Sequence, residues 1–242
     1  MGTQVKPYSD SDKTKKEQVA GMFDNIAGKY DFLNHFLSLN IDKLWRKKVV
    51  KYLIKHRPVN ILDVATGTGD LAVSAIKCNP KRIDGIDISE GMLNVGRKKI
   101  KQKKVDNIIF LQKGDAENIP FADNTFDAVT VAFGARNFEN IDKGLSEMCR
   151  VLKTNGICLI LEFTMPRYFP VKQLYGFYFK YLLPFFGKLI SKDKSAYTYL
   201  PESVQAFPQR DAFLHKMQQA GFKSSSYKSL SFGVAAIYFG IK

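Results

Sequence analysis

ILDVATGTGDLA, residues 61–72, runs from a short apolar stretch through two closely spaced glycines into a helical pattern. A buried strand that turns tightly into a helix uses glycine there, because a missing Cβ admits left-handed backbone and lets a ligand approach the main chain. Gly67, Gly69 and Ala72 keep the spacing of a dinucleotide-type loop. Asp87 follows twenty residues after Gly67, where a carboxylate at the tip of the next strand accepts the two hydroxyls of a ribose. The pattern defines an adenosine-containing ligand without saying which.

Outward from this loop the texture repeats. NILDVA, RIDGIDI, NIIFLQ, FDAVTVAF and GICLILEF are short apolar runs separated by helical or long polar connections, which predicts five parallel strands covered on both faces. SSSYKSLSFGVAAIYFGIK adds an antiparallel pair at the end. The expected fold is α/β, a Rossmann-like, mostly parallel seven-stranded sheet. Before it, Val19, Met22, Phe23 and Ile26, then Phe32, Leu33 and Phe36, then Leu44, Trp45, Val49, Leu53 and Ile54 recur at helical spacing. Residues 1–57 are therefore read as an N-terminal helical cap and 58–242 as the main domain, with a helical insertion at about 166–208, the whole forming one compact unit.

Composition narrows the class. With 45% hydrophobic residues in 242, the chain can bury a substantial core, and disorder is excluded for most of it. No leader-like apolar segment follows the charged N-terminus, and no apolar run reaches the roughly 20 residues of a membrane span. A cytoplasmic or peripheral protein is expected. Cys78, Cys149 and Cys158 lie too far apart to suggest a zinc or iron–sulfur site, so they are read as reduced thiols and no metal is expected. The net charge of +14 invites an anionic partner: nucleic acid, acidic lipid or a phosphorylated ligand.

Further acids narrow the ligand. Asp63, at the end of the first strand, is unwelcome beside a pyrophosphate but would pair with the ammonium of an amino acid. Asp115, in GDAENIPF after the third strand, could accept a hydrogen bond from an adenine amino group. With the loop glycines and Asp87, these acids describe a site for S-adenosylmethionine.

The chain also resembles the menaquinone/ubiquinone biosynthesis C-methyltransferases, through FDNIAGKYDFLNHFLSLNIDKLWR, GTGD, GDAENIPFADNTFDAVTVAFGARN, RVLKTNGICLILEF and YTYLPESVQAFP. Those segments span nearly the whole chain. The resemblance implies that Thr68, Asp87, and Asp115 with Ala116 contact S-adenosylmethionine, and that Ala132 contributes backbone where some members carry serine. It implies a polyprenylated quinol as substrate: a demethylmenaquinol, or alternatively a methoxy-polyprenyl-benzoquinol. Thr66, standing where other members have glycine, leans toward the menaquinone-only members. A nucleic-acid methyltransferase is the rival, but AFGAR stands where base-amine methylation uses a polar-Pro-Pro-aromatic motif, so no nucleic-acid partner is expected.

Methylating a ring carbon requires an electron-rich quinol, hence a stabilised phenolate. Arg136 and Asn137 are the candidates for that task. A guanidinium keeps its proton, so Arg136 is not the base. His35, His56 and His215 read as solvent-facing, with Tyr30, Tyr197 and Tyr199 as weaker alternatives, and the base stays unassigned. QLYGFYFKYLLPFFGKLI is apolar all round a helix, which reads either as core or as an amphiphilic lid that touches a membrane surface transiently with Lys172, Lys180 and Lys188 at the headgroups; as a lid it forms a groove for the isoprenoid that includes Phe179, Leu182 and Phe186. Assembly into a homo-oligomer stays open.

Overall fold

The computed structural model describes residues 5–8, 11–178, 181 and 195–242; the lid residues Phe179, Lys180, Leu182, Phe186 and Lys188 lie outside them. Helix α1 (Lys15–Leu37) starts at a capping box in which the Thr14 hydroxyl accepts the Glu17 N–H and the Glu17 carboxylate accepts the Thr14 N–H. After a left-handed turn at Leu39 and Asn40, α2 (Ile41–His56) follows and stops at left-handed Arg57, before Pro58.

The sheet then builds as β1 (Asn60–Val64), α3 (Asp70–Ala75), β2 (Arg82–Asp87), α4 (Glu90–Gln102), β3 (Ile109–Lys113), β4 (Phe126–Ala132), α5 (Ile141–Val151) and β5 (Leu152–Phe163). Helices α6 (Val171–Phe177), α7 (Ser195–Ala206) and α8 (Asp211–Gln219) precede β6 (Ser224–Leu230) and β7 (Ala235–Ile241). The seven strands lie in the order β3-β2-β1-β4-β5-β7-β6, parallel except that β7 runs antiparallel to both neighbours. All seven expected strands are present. The order reverses between β1 and β4, which opens a crevice at their carboxyl ends.

Alternate residues of each inner strand face opposite layers, which is why these strands read as continuous apolar runs. Leu62, Val64, Ile86, Val129 and Val131 pack with Leu145 and Met148 of α5 and Phe213 and Met217 of α8. Ile61, Ile83, Ala128 and Leu159 face the other way, onto Trp45, Val49 and Leu53 of α2 and Ala72 of α3. Helix α2 thus belongs to one covering layer of the sheet. Leu44, Ile54 and Phe32, placed by spacing on apolar stripes, are exposed instead, because the buried arc of each helix is narrower than its apolar content. Edge strand β6 is largely polar, as an unpaired edge must be.

Candidate active site

The loop after β1 forms the floor of a groove. Ala65, Gly67 and Gly69 take φ values of 50°, 57° and 78°, and the Gly67 N–H donates to Asp87 Oδ2 at 2.8 Å. Asp87 Oδ1 accepts the Ser89 N–H at 2.9 Å, so one carboxylate joins the glycine loop to the start of α4. Burial pushes the Asp87 carboxyl up to about 6, against the opposing pull of those amides. The groove is also lined by Asp115, Ala116, Ala132 and Asn137, and glycines 67, 114 and 134 leave bare backbone in its wall.

Other residues singled out by sequence take different positions. Asp63 is buried beside the loop, where its oxygens accept the Thr66 hydroxyl at 2.6 Å and the Thr130 hydroxyl at 2.7 Å. It braces the loop against β4 and is not among the groove-lining residues. Burial raises its carboxyl to about 6 as well. Thr68 also turns away: its hydroxyl donates to Asp31, and Lys99 Nζ donates to it at 3.0 Å. Asp115 meets Lys16 at 2.6 Å. Lys15, the buried first residue of α1, donates to the carbonyls of Arg136 and Phe138, and burial followed by the nearby Arg136 charge lowers its amine to about 8.

A second, larger cavity of about 290 Å³ adjoins the groove. Met22, Ile26, Leu33, Trp45, Phe163 and Val234 make it apolar, and Phe23, Tyr30, Phe133 and Asn137 line both spaces. The two spaces therefore adjoin along these four residues. Sequence reasoning missed the cavity, because its walls come from residues that read as ordinary core. Burial pushes the Tyr30 phenol upward, which keeps it protonated.

Arg136 lines the cavity and is held by fully buried Glu162, with Nη1 at 2.9 Å from Oε1 and a further bond to the Phe133 carbonyl. Its backbone N–H donates to the other Glu162 oxygen at 3.2 Å. Asn137 Oδ1, Arg136 Nε and the Tyr199 hydroxyl are buried without a hydrogen-bond partner among the described residues. Unmet polar atoms in an apolar chamber are costly unless a ligand satisfies them. His56 and His215 are exposed, whereas His35 is not simply solvent-facing: its Nδ1 lies 2.8 Å from Asp42 and its Nε2 3.6 Å from Asp70. These acids carry their own counter-ions, Arg46 and Lys99. The Tyr197 side chain lies outside the described residues.

The crevice at the strand reversal, the carboxylate at the tip of β2 and the bare-backbone loop are those of a class I S-adenosylmethionine-dependent methyltransferase. The cofactor fits the residues present: Asp87 lines the groove, and Gly67 has room on its ligand side, where an added Cβ would meet only Met92 at 3.4 Å. Comparison with known proteins narrows the class. The ubiE/COQ5 methyltransferase family matches residues 11–242, and the chain belongs to that family.

Among its relatives, a protein named demethylmenaquinone methyltransferase from Bacteroides fragilis is 51% identical over 98% of this chain and 97% of its own length. A protein of the same name from Porphyromonas gingivalis is 46% identical over 98% of each chain. The solved structure of a Thermotoga maritima S-adenosylmethionine-dependent methyltransferase, described as a possible histamine N-methyltransferase, superposes with a TM-score of 0.63 over 92% of this chain and 99% of that one. At 19% identity it speaks for the fold alone. The chain is a methyltransferase that uses S-adenosylmethionine.

Two expectations arise from the groove. Ribose hydroxyls need an ionised acceptor, and the free protein's Asp87 carboxyl sits near 6. Cofactor affinity measured by calorimetry should hold between pH 7 and 8 and weaken as pH falls through about 6, approaching tenfold per unit. The sign follows from linkage: a carboxyl raised on folding favours the free fold at low pH, and that contribution is lost as pH rises through 6. Binding draws on the deprotonated form, so it strengthens over the same interval.

Gly134→Ala places a Cβ 2.5 Å from the Cβ of Ala65, against the glycine loop. Such overpacking costs about 1–3 kcal/mol. Thermal unfolding should shift down, and the displaced loop should weaken cofactor binding about tenfold, equivalent to 1.4 kcal/mol.

Proposed function

We propose that this enzyme methylates a ring carbon of demethylmenaquinol, giving menaquinol. The observation carrying the reading is the apolar chamber of about 290 Å³ that meets the cofactor groove at Tyr30 and Asn137. Its walls suit a quinol ring and the first part of an isoprenoid tail, and the names of the close relatives agree with it.

When bound, S-adenosylmethionine supplies a methyl group on a positively charged sulfur. Asp87 accepts the ribose hydroxyls, the Gly67–Thr68–Gly69 backbone borders the amino-acid end, and Asp115 with the Ala116 backbone receives the adenine. Ala132 offers main chain to the same groove, and Asp63 acts through the loop that it braces. In the chamber, the quinol oxygen next to the reacting carbon gives its proton to solvent at the mouth, Arg136, oriented by Glu162, stabilises the resulting phenolate, and Asn137 Oδ1 accepts a hydrogen bond from the other hydroxyl. The ring carbon takes the methyl, with the electrons of the broken bond left on sulfur, and the ring proton then leaves to solvent. Apolar walls exclude water and strengthen both interactions. Of the cap read over residues 1–57, α1 borders the cofactor groove and α2 packs on the sheet, while 58–242 carry the catalytic fold with its helical insertion at about 166–208. The isoprenoid tail keeps the substrate in a bilayer, so the enzyme works as a peripheral protein at the membrane surface.

Ile26→Trp tests where the acceptor sits, because Ile26 lines the chamber but not the cofactor groove. Filling the chamber should lower kcat/KM for demethylmenaquinol at least about tenfold, with cofactor affinity within about twofold of the parent. An unchanged kcat/KM, or an equal loss of cofactor binding, would contradict the assignment.

A further inference from the structure

We propose that the rim of the large cavity docks on the surface of an anionic lipid bilayer through three turns. These are the α1–α2 turn with the first residues of α2 (38–44), the segment after β5 with the start of α6 (165–174), and the β6–β7 turn with the end of β6 (228–234). They are neighbours: Ser38, Leu39, Ser231 and Val234 line the same cavity, and the Trp45 indole of α2 donates to the Ser231 hydroxyl at 2.9 Å. A Cβ placed on Gly233 would lie 3.5 Å from Pro166, which puts the third turn against the second.

Large apolar side chains stand outward from all three. Leu39 is 78% exposed, Tyr168 78%, Phe169 81% and Phe232 83%. Leu39 and Phe232 do so from left-handed backbone, at φ 50° and 57°. A bulky apolar residue in that conformation costs stability and gains nothing from water, a combination that points to a role outside the free fold.

Charge selects the partner. Lys43, Arg167, Lys172 and Lys228 are all exposed in these turns, and the one acid, Asp42, is buried. A rim of apolar side chains backed by cations and free of exposed acid matches a bilayer interface with negative headgroups, where apolar groups sink and lysines pair. The cavity mouth would then open into the lipid. This deepens the proposed function and rests on it only for the substrate's residence in the bilayer.

The test is co-sedimentation of the full chain, without substrate, with vesicles of pure phosphatidylcholine or with about 30% phosphatidylglycerol. The anionic vesicles should bind at least about tenfold more strongly, and added salt should weaken that binding. Tyr168→Asp combined with Phe232→Asp should cut partitioning at least about tenfold. Its cofactor affinity and its turnover of a short-tailed soluble quinol should stay unchanged. Arg167→Glu with Lys172→Glu and Lys228→Glu should remove the preference for anionic lipid while leaving the same turnover. Equal binding to both vesicles, full partitioning of the Tyr168/Phe232 variant, or self-association in place of vesicle binding would each overturn the proposal. Failure to methylate any quinol while vesicle binding persists would instead count against the function alone.

Discussion

Glu162→Ala should destabilise the protein by about 3–5 kcal/mol, because it leaves the Arg136 guanidinium buried without its counter-ion. Glu162 is wholly inaccessible, and its two oxygens hold both the side chain and the backbone N–H of Arg136. The surrounding Phe133 and Phe163 rings offer no polar substitute. Denaturant unfolding checks the stability. The double replacement Glu162→Leu with Arg136→Met removes both charges together, and apolar substitution of a buried pair is often neutral or stabilising. It should recover most of the lost stability without recovering turnover. Restored turnover would assign Arg136 to the fold and remove it from the chemistry.

Asp87→Ala should weaken S-adenosylmethionine binding about a hundredfold, near 2.7 kcal/mol. Each hydrogen bond to a charged acceptor contributes roughly 1.5–3 kcal/mol, and the same carboxylate also holds the Gly67 amide of the loop. Calorimetry at pH 7.5 reads the loss. The variant should also lose the Asp87 share of the weakening of binding near pH 6, leaving only what Asp63 contributes through the loop. A variant that binds with parental affinity would place the ribose elsewhere.

The sheet was legible because each strand is a short apolar run bounded by turn residues, and its connections have helical length. The place of Asp87 at the tip of β2, bordering the groove, was legible from its spacing after the glycine loop. Asp63 was not: spacing locates the carboxylate at the end of β1, but the hydroxyls of Thr66 and Thr130, the latter on another strand, decide which way it turns. The chamber was hidden for a related reason. Its walls come from α1, α2, the turn after β4, and segments near α6, α7 and β7, and in each of these an apolar residue facing a cavity looks like one facing core. Glu162 carried a readable signal, because a single acid in the apolar run GICLILEF implies a buried cationic partner.

The geometry supports carbon methylation of a quinol where groove and chamber adjoin. Incubating the enzyme with demethylmenaquinol and S-adenosylmethionine carrying a carbon-13 methyl, then recording the product's carbon NMR spectrum, tests it most directly. One labelled methyl bonded to a ring carbon is the expected product. A labelled methyl on oxygen, or no label in the quinol at all, would contradict it.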